Sequence, residues 1–230
     1  MKWLNRDIVP IRHRYNCQVN DPVYPPPFCW VGMVVRNLWH YIHMVPASAF
    51  RSSERAIEIP LAIDFLSNYA QQDPITELGC VLPYYILKRG SHNVYDLTDK
   101  HPQCTRCDLR TLNDNDLKGV VVSISTLEHL GLAEYGIEKG STDEGVALLK
   151  RILADARKYF ITVPIGYNKT LDDFILGSCD LGECYVARTR NNPEEWEVVA
   201  KTALTNEMKK FGTYLKANTI CVFIKTGQDA

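Results

Sequence analysis

The sequence predicts an α/β domain built on a mostly parallel, doubly wound sheet, with a C-terminal antiparallel strand and an N-terminal extension. Three observations carry that expectation. From Arg51 onward, short apolar runs alternate with segments of helical periodicity, the pattern of a parallel sheet covered by helices on both faces. The runs end in glycine or ionisable residues, as loops at the carboxyl rim of such a sheet do. With 230 residues, 46% of them hydrophobic, the chain suits one sizeable domain with an appendage and needs no disulfide or metal staple to fold.

Residues 1–50 differ from the rest and are read as an extension packed on a domain of residues 51–230. They carry Tyr24-Pro25-Pro26-Pro27-Phe28, which favours extended backbone, and Trp3, Trp30 and Trp39. Val34, Leu38, Tyr41 and Ile42 share one side at helical spacing, which predicts a helix over 31–44. Pro60 suits a helix start, followed by Leu61, Phe65, Leu66 and Tyr69. Strands are expected at 75–78, 94–97 and 120–125, with a third strand of the series near Cys104 and Cys107. Ser141 and Glu144 have capping-box spacing ahead of an apolar stripe of Leu149, Ile152, Leu153 and Ala156. Tyr159 to Val163 reads as a buried strand stopped by Pro164. The last part is strand-like at 184–189, 196–199 and 219–225, with a helix expected between Ala200 and Phe211.

Charge and composition narrow the function. The 26 Lys+Arg against 27 Asp+Glu give a net charge of −1, without the basic surplus of a protein that binds nucleic-acid backbone. Eight cysteines in 230 residues fall well below the roughly 8–10% of a disulfide scaffold. The N-terminus shows no apolar core followed by a small-residue cleavage site. The most apolar stretch, Cys29 to Val45, is broken by Arg36, His40 and His43 and falls short of the roughly 20 residues of a membrane span. The expectation is a soluble cytoplasmic protein with reduced thiols, no nucleic-acid partner and no membrane span.

The rim loops hold the candidate site residues. The first strand runs into Glu77-Leu78-Gly79-Cys80, an acid two residues before a glycine where an α/β sheet turns its ligand loop. The second strand ends at Asp96, where a carboxylate can accept both hydroxyl hydrogens of a ribose. The fourth strand ends in Ser123-Ile124-Ser125-Thr126-Leu127-Glu128-His129, an ionisable cluster at the rim, and the fifth in Ile165-Gly166-Tyr167-Asn168.

Taken together, ITELGCVLPYY, VYDLTD, VVVSISTLEHLG and FITVPIGYNKTLDDF resemble the class I S-adenosylmethionine-dependent methyltransferases, which have a Rossmann-like fold. The likeness is to a branch that also carries an E-R-A-x-E-I-P helix start, matched by Glu54 to Pro60, and it spans residues 51 to about 225. The resemblance implies S-adenosylmethionine as methyl donor. It implies that Glu77, Gly79 and Cys80 lie along the methionine and ribose end, Asp96 on the ribose diol, Asp108 near the adenine amine and Ser125 beside the methyl group. Members of this kind accompany glycan-building enzymes, which implies sugar O-methylation, with a sugar or glycan hydroxyl as acceptor and glycosyltransferases as neighbours or fusion partners. The chain departs from the general first-loop pattern in placing Val81 and Pro83 where glycines are usual.

The chemistry asks for alignment, desolvation and removal of the acceptor's proton. His129 is the candidate base, since an imidazole serves at neutral pH, and Glu128 could orient it or act as base itself; the same pair also suits a helix cap. Tyr167 and Asn168 are expected to line the acceptor pocket, an aromatic face suiting a sugar ring, against the alternative of a buried, satisfied tyrosine. Asp172 and Asp173 are read as first-turn carboxylates on a helix rather than metal ligands. His101, Cys104 and Cys107 lack the paired spacings of a zinc site, so no metal is predicted. An Asn-Pro-Pro-Tyr-type loop after strand four is missing, which argues against nucleobase and amide acceptors. Three alternatives stay open: methylation of another small molecule, an inactive methyltransferase-fold binding module, and a nicotinamide-dependent oxidoreductase, which would want a fuller glycine fingerprint.

Overall fold

The computed structural model describes residues 54–70, 73–85, 91–134, 140–178, 181–188, 196–210 and 217–227, together with the backbone of four short strands between residues 28 and 46. Of these four, β1 (Phe28–Cys29) pairs antiparallel with β4 (Val45–Pro46), and β2 (Gly32–Val35) with β3 (Leu38–Tyr41). The helix expected over 31–44 is therefore replaced by a β-pair, with Val35 opposite Leu38. Val34, Val35, Trp39 and Tyr41 are β-branched or aromatic, and such side chains fit a pleated surface better than a helix face. The rest of residues 1–50 lies outside the described residues.

Helix α1 (Arg55–Tyr69) runs through Pro60 instead of starting there, because the Glu54 carbonyl already accepts from the amides of Ile57 and Glu58. The helix is apolar on several sides, with Ile57, Ile59, Ala62, Phe65 and Leu66 all buried. A helix with so little amphipathic contrast belongs inside a fold.

One eight-stranded sheet follows: β5 (Ile75–Leu78), β6 (His92–Asp96), β7 (Cys104–Arg106), β8 (Val120–Ile124), β9 (Lys158–Pro164), β10 (Glu183–Arg188), β11 (Trp196–Val199) and β12 (Thr219–Lys225). Their order across the sheet is β11-β10-β12-β9-β8-β5-β6-β7. Strands β5 to β9 pair parallel with one another, whereas β12 enters antiparallel between β9 and β10. Every residue of β5 and β8 is buried, as strands covered on both faces require.

Alternation along β8 separates the two cores. Val120, Val122 and Ile124 pack with α1, while Val121 packs with helices α3 (Glu144–Asp155) and α4 (Lys169–Gly177) on the other face. A short helix, α2 (Asp114–Leu117), precedes β8 and adds Leu117 to that second core. The predicted α/β class and doubly wound sheet are thus present.

Two local expectations are corrected. Helix α3 starts at Glu144, because Ser141 Oγ accepts from Asp143 N rather than closing a full capping box; the reciprocal half, Ser141 N to Glu144 Oε1, is made at 3.1 Å. Residues 200–210 form a 3₁₀ turn (Lys201–Ala203) and further turns, not an α-helix. Thr205 Oγ1 accepts from Met208 N there, a local bond that competes with helix formation. Among the described residues no helix is long and apolar enough to cross a membrane.

The strand order reverses at β5, with β6 and β7 on one side and β8 and β9 on the other. Loops leaving the carboxyl ends of β5 and β8 diverge at such a switch point and leave a crevice for a ligand.

Candidate functional site

The crevice begins with a contact between its two loops. Gly79 follows β5 at φ +84°, and a Cβ there would fall 2.0 Å from Thr126 Oγ1, just past β8. Only glycine meets both the positive φ and that approach. Behind it, Glu77 is fully buried. Its Oε1 accepts from the amides of Val81 (2.9 Å) and Leu82 (2.7 Å), and its Oε2 lies 2.7 Å from His92 Nε2. The carboxylate thus holds the loop from inside.

At the end of β6, Asp96 ties two loops together. Its Oδ2 accepts from Cys80 N at 3.2 Å, and its Oδ1 accepts from the amides of Thr98 and Asp99 and from Thr98 Oγ1. Asp99 accepts from Tyr84 Oη and from His101 N. Beyond β7, the Arg110 guanidinium grips Asp108 through both carboxylate oxygens and holds that carboxyl below its usual range, while also reaching Glu144 at 3.3 Å.

The β8 rim is built from more distant parts of the chain. Ser125 has φ +42°, and among the described residues no other non-glycine has a positive φ. Its amide donates to Thr162 O and Oγ1, and its hydroxyl donates to Glu58 Oε1 at 2.5 Å. Thr162 Oγ1 donates to the same oxygen at 2.7 Å, and Arg55 Nη1 donates to Glu58 Oε2 at 2.7 Å. A strained residue held this firmly beside a cavity is a mark of a functional site.

His129, two residues past Leu127, has its Nδ1 2.7 Å from Glu134 Oε2. Tyr167 Oη donates to the same carboxylate at 2.7 and 2.8 Å, and its ring meets the imidazole edge-to-face at 4.8 Å. Glu128 lies below, 2% exposed, with Oε1 3.7 Å from His129 Nε2 and Oε2 without a hydrogen-bond partner among the described residues. Burial pushes its carboxyl well above the usual range, and the charge of Glu58 adds to this.

These loops enclose a cavity of about 270 Å³. Six of the sequence-predicted residues line it: Gly79, Cys80, Asp96, Asp108, Ser125 and His129. Four do not line it. Glu77 is turned inward onto loop amides, and Glu128 is buried beneath the wall. Asn168 caps α4 by accepting from Thr170 N and Leu171 N, and donates to the Glu128 carbonyl at 3.0 Å. Tyr167 gives its hydroxyl to Glu134 and packs its ring on His129, both of which line the cavity. Arg55, Asp99, Thr126 and Glu134 also line it and are not marked by the sequence pattern as site residues. Arg55, Asp99 and Thr126 lie inside the quoted motifs, where position at a rim is a signal, while Glu134 carries no local one. Among the described residues no group of three or more His, Cys, Asp or Glu side chains is placed to hold a metal ion, and Cys104 and Cys107 are free thiols.

Asp172 lies in the first turn of α4, as expected. Its Oδ2 accepts from Gly166 N at 2.9 Å, and its Oδ1 is buried with no hydrogen-bond partner among the described residues. Burial foremost, then the charge of Asp173, raises its pKa from 3.8 to about 7. The folded chain therefore binds this proton more tightly than the unfolded chain. The associated stability is complete below about pH 4 and is lost as pH rises through about 7, a loss of up to about 4 kcal/mol. Asp172→Asn should flatten that fall. Urea unfolding at pH 5 and pH 8 checks it, and equal pH dependence in the two proteins would show that Asp172 titrates normally.

Comparison with protein-family models, curated proteins and solved structures finds no match for this chain.

Proposed function

We propose that the protein is an S-adenosylmethionine-dependent O-methyltransferase acting on a sugar or glycan hydroxyl. The observation that carries this reading is the charge of the switch-point cavity. Five carboxylates (Asp96, Asp99, Asp108, Glu134 and Glu144) line it against two guanidiniums, Arg55 and Arg110. Arg110 neutralises the Asp108 end, and among the described residues Asp96 and Asp99 have no cationic partner. Such a wall favours a cationic ligand and repels the pyrophosphate of a nicotinamide dinucleotide. The loop amides of Val81 and Leu82 are taken up by Glu77 and so are not offered to a phosphate.

The donor would supply a methyl group already activated by its sulfonium sulfur. Asp96 would receive a ribose hydroxyl on Oδ2 alone, because Oδ1 already accepts three hydrogen bonds; the bidentate grip expected from sequence becomes a single one. Ser125 and Thr126 form the wall between the two loops. Glu134 accepts from Nδ1–H of His129 and so sets the tautomer in which Nε2, 3.7 Å from Glu128 Oε1, is the basic nitrogen. That nitrogen would take the acceptor's hydroxyl proton as the oxygen bonds to the methyl carbon and the methyl–sulfur bond breaks, releasing S-adenosylhomocysteine. The sugar acceptor itself rests on the motif resemblance.

Asp96→Ala should weaken binding of S-adenosylhomocysteine at least about tenfold, through loss of a charge-assisted hydrogen bond and of the link to Cys80 N. Titration calorimetry of the variant checks this, and unchanged affinity would remove Asp96 from the donor site. The test of the function is calorimetry of the unaltered protein with S-adenosylmethionine, S-adenosylhomocysteine and a nicotinamide dinucleotide. Micromolar binding of the two sulfur ligands alone is expected, and binding of neither refutes the reading. Binding without turnover on any sugar would favour a binding module, to which the inward-turned first loop lends support.

A further inference from the structure

Arg55 opens α1 and lines the cavity with its side chain 26% exposed. Nη1 donates to Glu58 Oε2 at 2.7 Å and reaches the Ile124 carbonyl at 3.4 Å. Nε and Nη2 have no hydrogen-bond partner among the described residues. The other guanidinium of the cavity, Arg110, is taken up by Asp108 and Glu144. Nε and Nη2 of Arg55 are open to the cavity rather than sealed in the core, and the planar Nε–Nη2 edge matches the two oxygens of a carboxylate. Glu58 holds the guanidinium from behind, and Ser125 and Thr162 hold Glu58 in turn.

The charged groups left open differ from side to side. On the β6 side Asp96 and Asp99 have no cationic partner among the described residues, while Arg110 is taken up by Asp108 and Glu144. On the β8–β9 side Glu134 is engaged by His129 and Tyr167, and Arg55 keeps its Nε–Nη2 edge open. A ligand fitted to it would carry positive charge toward β6 and a carboxylate toward α1.

We infer that Arg55 is a carboxylate-binding residue that grips, through Nε and Nη2, a carboxylate of a molecule seated in the switch-point cavity. Two sources share that chemistry: the amino-acid end of the methyl donor, and an acid group on the acceptor, such as a uronate. The first source rests on the proposed function, while the second stands without it.

Calorimetry on the unaltered protein, Arg55→Met and Arg55→Lys separates them. One arm compares S-adenosylhomocysteine with 5′-methylthioadenosine, which lacks the amino-acid end. The other compares D-glucuronate with D-glucose on protein loaded with S-adenosylhomocysteine. If the donor is the source, Arg55→Met weakens S-adenosylhomocysteine roughly 10- to 100-fold and leaves methylthioadenosine unchanged. If the acceptor is the source, both sulfur ligands bind as before and a preference for glucuronate over glucose disappears. Arg55→Lys keeps a cation against Glu58, so it preserves the fold, and it should show a smaller loss on the same ligand; it carries the test should Arg55→Met not fold. Equal affinities across all three proteins overturn the inference, as does a loss shared by methylthioadenosine and S-adenosylhomocysteine. Unaltered protein that binds neither sulfur ligand refutes the methyltransferase reading alone. Glucuronate and glucose on the unliganded protein then decide Arg55, and equal binding overturns the inference.

Discussion

Gly79→Ala should lower the melting temperature by roughly 5–15 °C and abolish binding of S-adenosylhomocysteine. The added Cβ would lie 2.0 Å from Thr126 Oγ1, 2.7 Å from its Cγ2 and 2.9 Å from its Cβ. Turning the threonine side chain relieves the first two clashes but not the third, so the two loops must part. Overpacking of this kind costs about 1–3 kcal/mol, and an L-residue at φ +84° costs about 1–2 kcal/mol more. In a chain of this size each kcal/mol moves the melting temperature by about 2–4 °C. The binding loss follows because the contact being forced apart is the floor of the crevice. Pairing the change with Thr126→Gly should recover the packing part of the stability and not the backbone part. Thermal melts and calorimetry of the single and double variants check both. A Gly79→Ala protein that melts and binds as the unaltered one does would mean that the loops do not meet as described.

His129→Ala should lower turnover by roughly 10²–10⁴-fold while leaving the affinity for S-adenosylhomocysteine within about twofold. The imidazole edge lines the cavity, but its hydrogen bond runs to Glu134 and its ring packs on Tyr167, both away from the Asp96 side. Glu134→Gln should lower kcat in the same direction, because an amide no longer holds the Nδ1–H tautomer as a carboxylate does. Steady-state rates on a sugar acceptor, read beside calorimetry, separate these effects from binding. Should His129→Ala and Asp96→Ala lose donor affinity equally, the division between a binding side and a reacting side is wrong.

The legible parts of the fold are those whose signal is local. β5, β8 and β9 are short apolar runs buried on both faces, and the rim residues Gly79, Ser125 and His129 follow from where β5 and β8 stop, as Asp96 follows from the end of β6. Elements with ambiguous local signals came out differently. Val34, Leu38, Tyr41 and Ile42 satisfy helical spacing, yet β-branched and aromatic content prevailed and the segment pairs as strands. Thr205 and its neighbours offered the backbone side-chain partners, so residues 200–210 turn instead of forming a helix.

Within the site, residue type was readable from sequence and direction was not. Glu77 and Asp96 are both acids at strand ends, but one points into the core and binds loop amides while the other reaches the cavity. Asn168, expected in the acceptor pocket, caps a helix, since the amides of Thr170 and Leu171 lie within its reach.

The sequence by itself determined the α/β class, the order of the strands along the chain and the chemical character of the rim loops, because apolar periodicity and turn residues act over a few positions. Tertiary structure alone decided that Glu58 meets Ser125 and Thr162, 67 and 104 positions away, that Glu134 holds His129, and that Arg55 enters the cavity. The contacts of Glu58 and Arg55 depend on how α1 packs against β8 and β9. That packing is set by burial of Phe65, Ile59 and Phe160 against one another, a non-directional force summed over the whole core that no local stretch of sequence expresses.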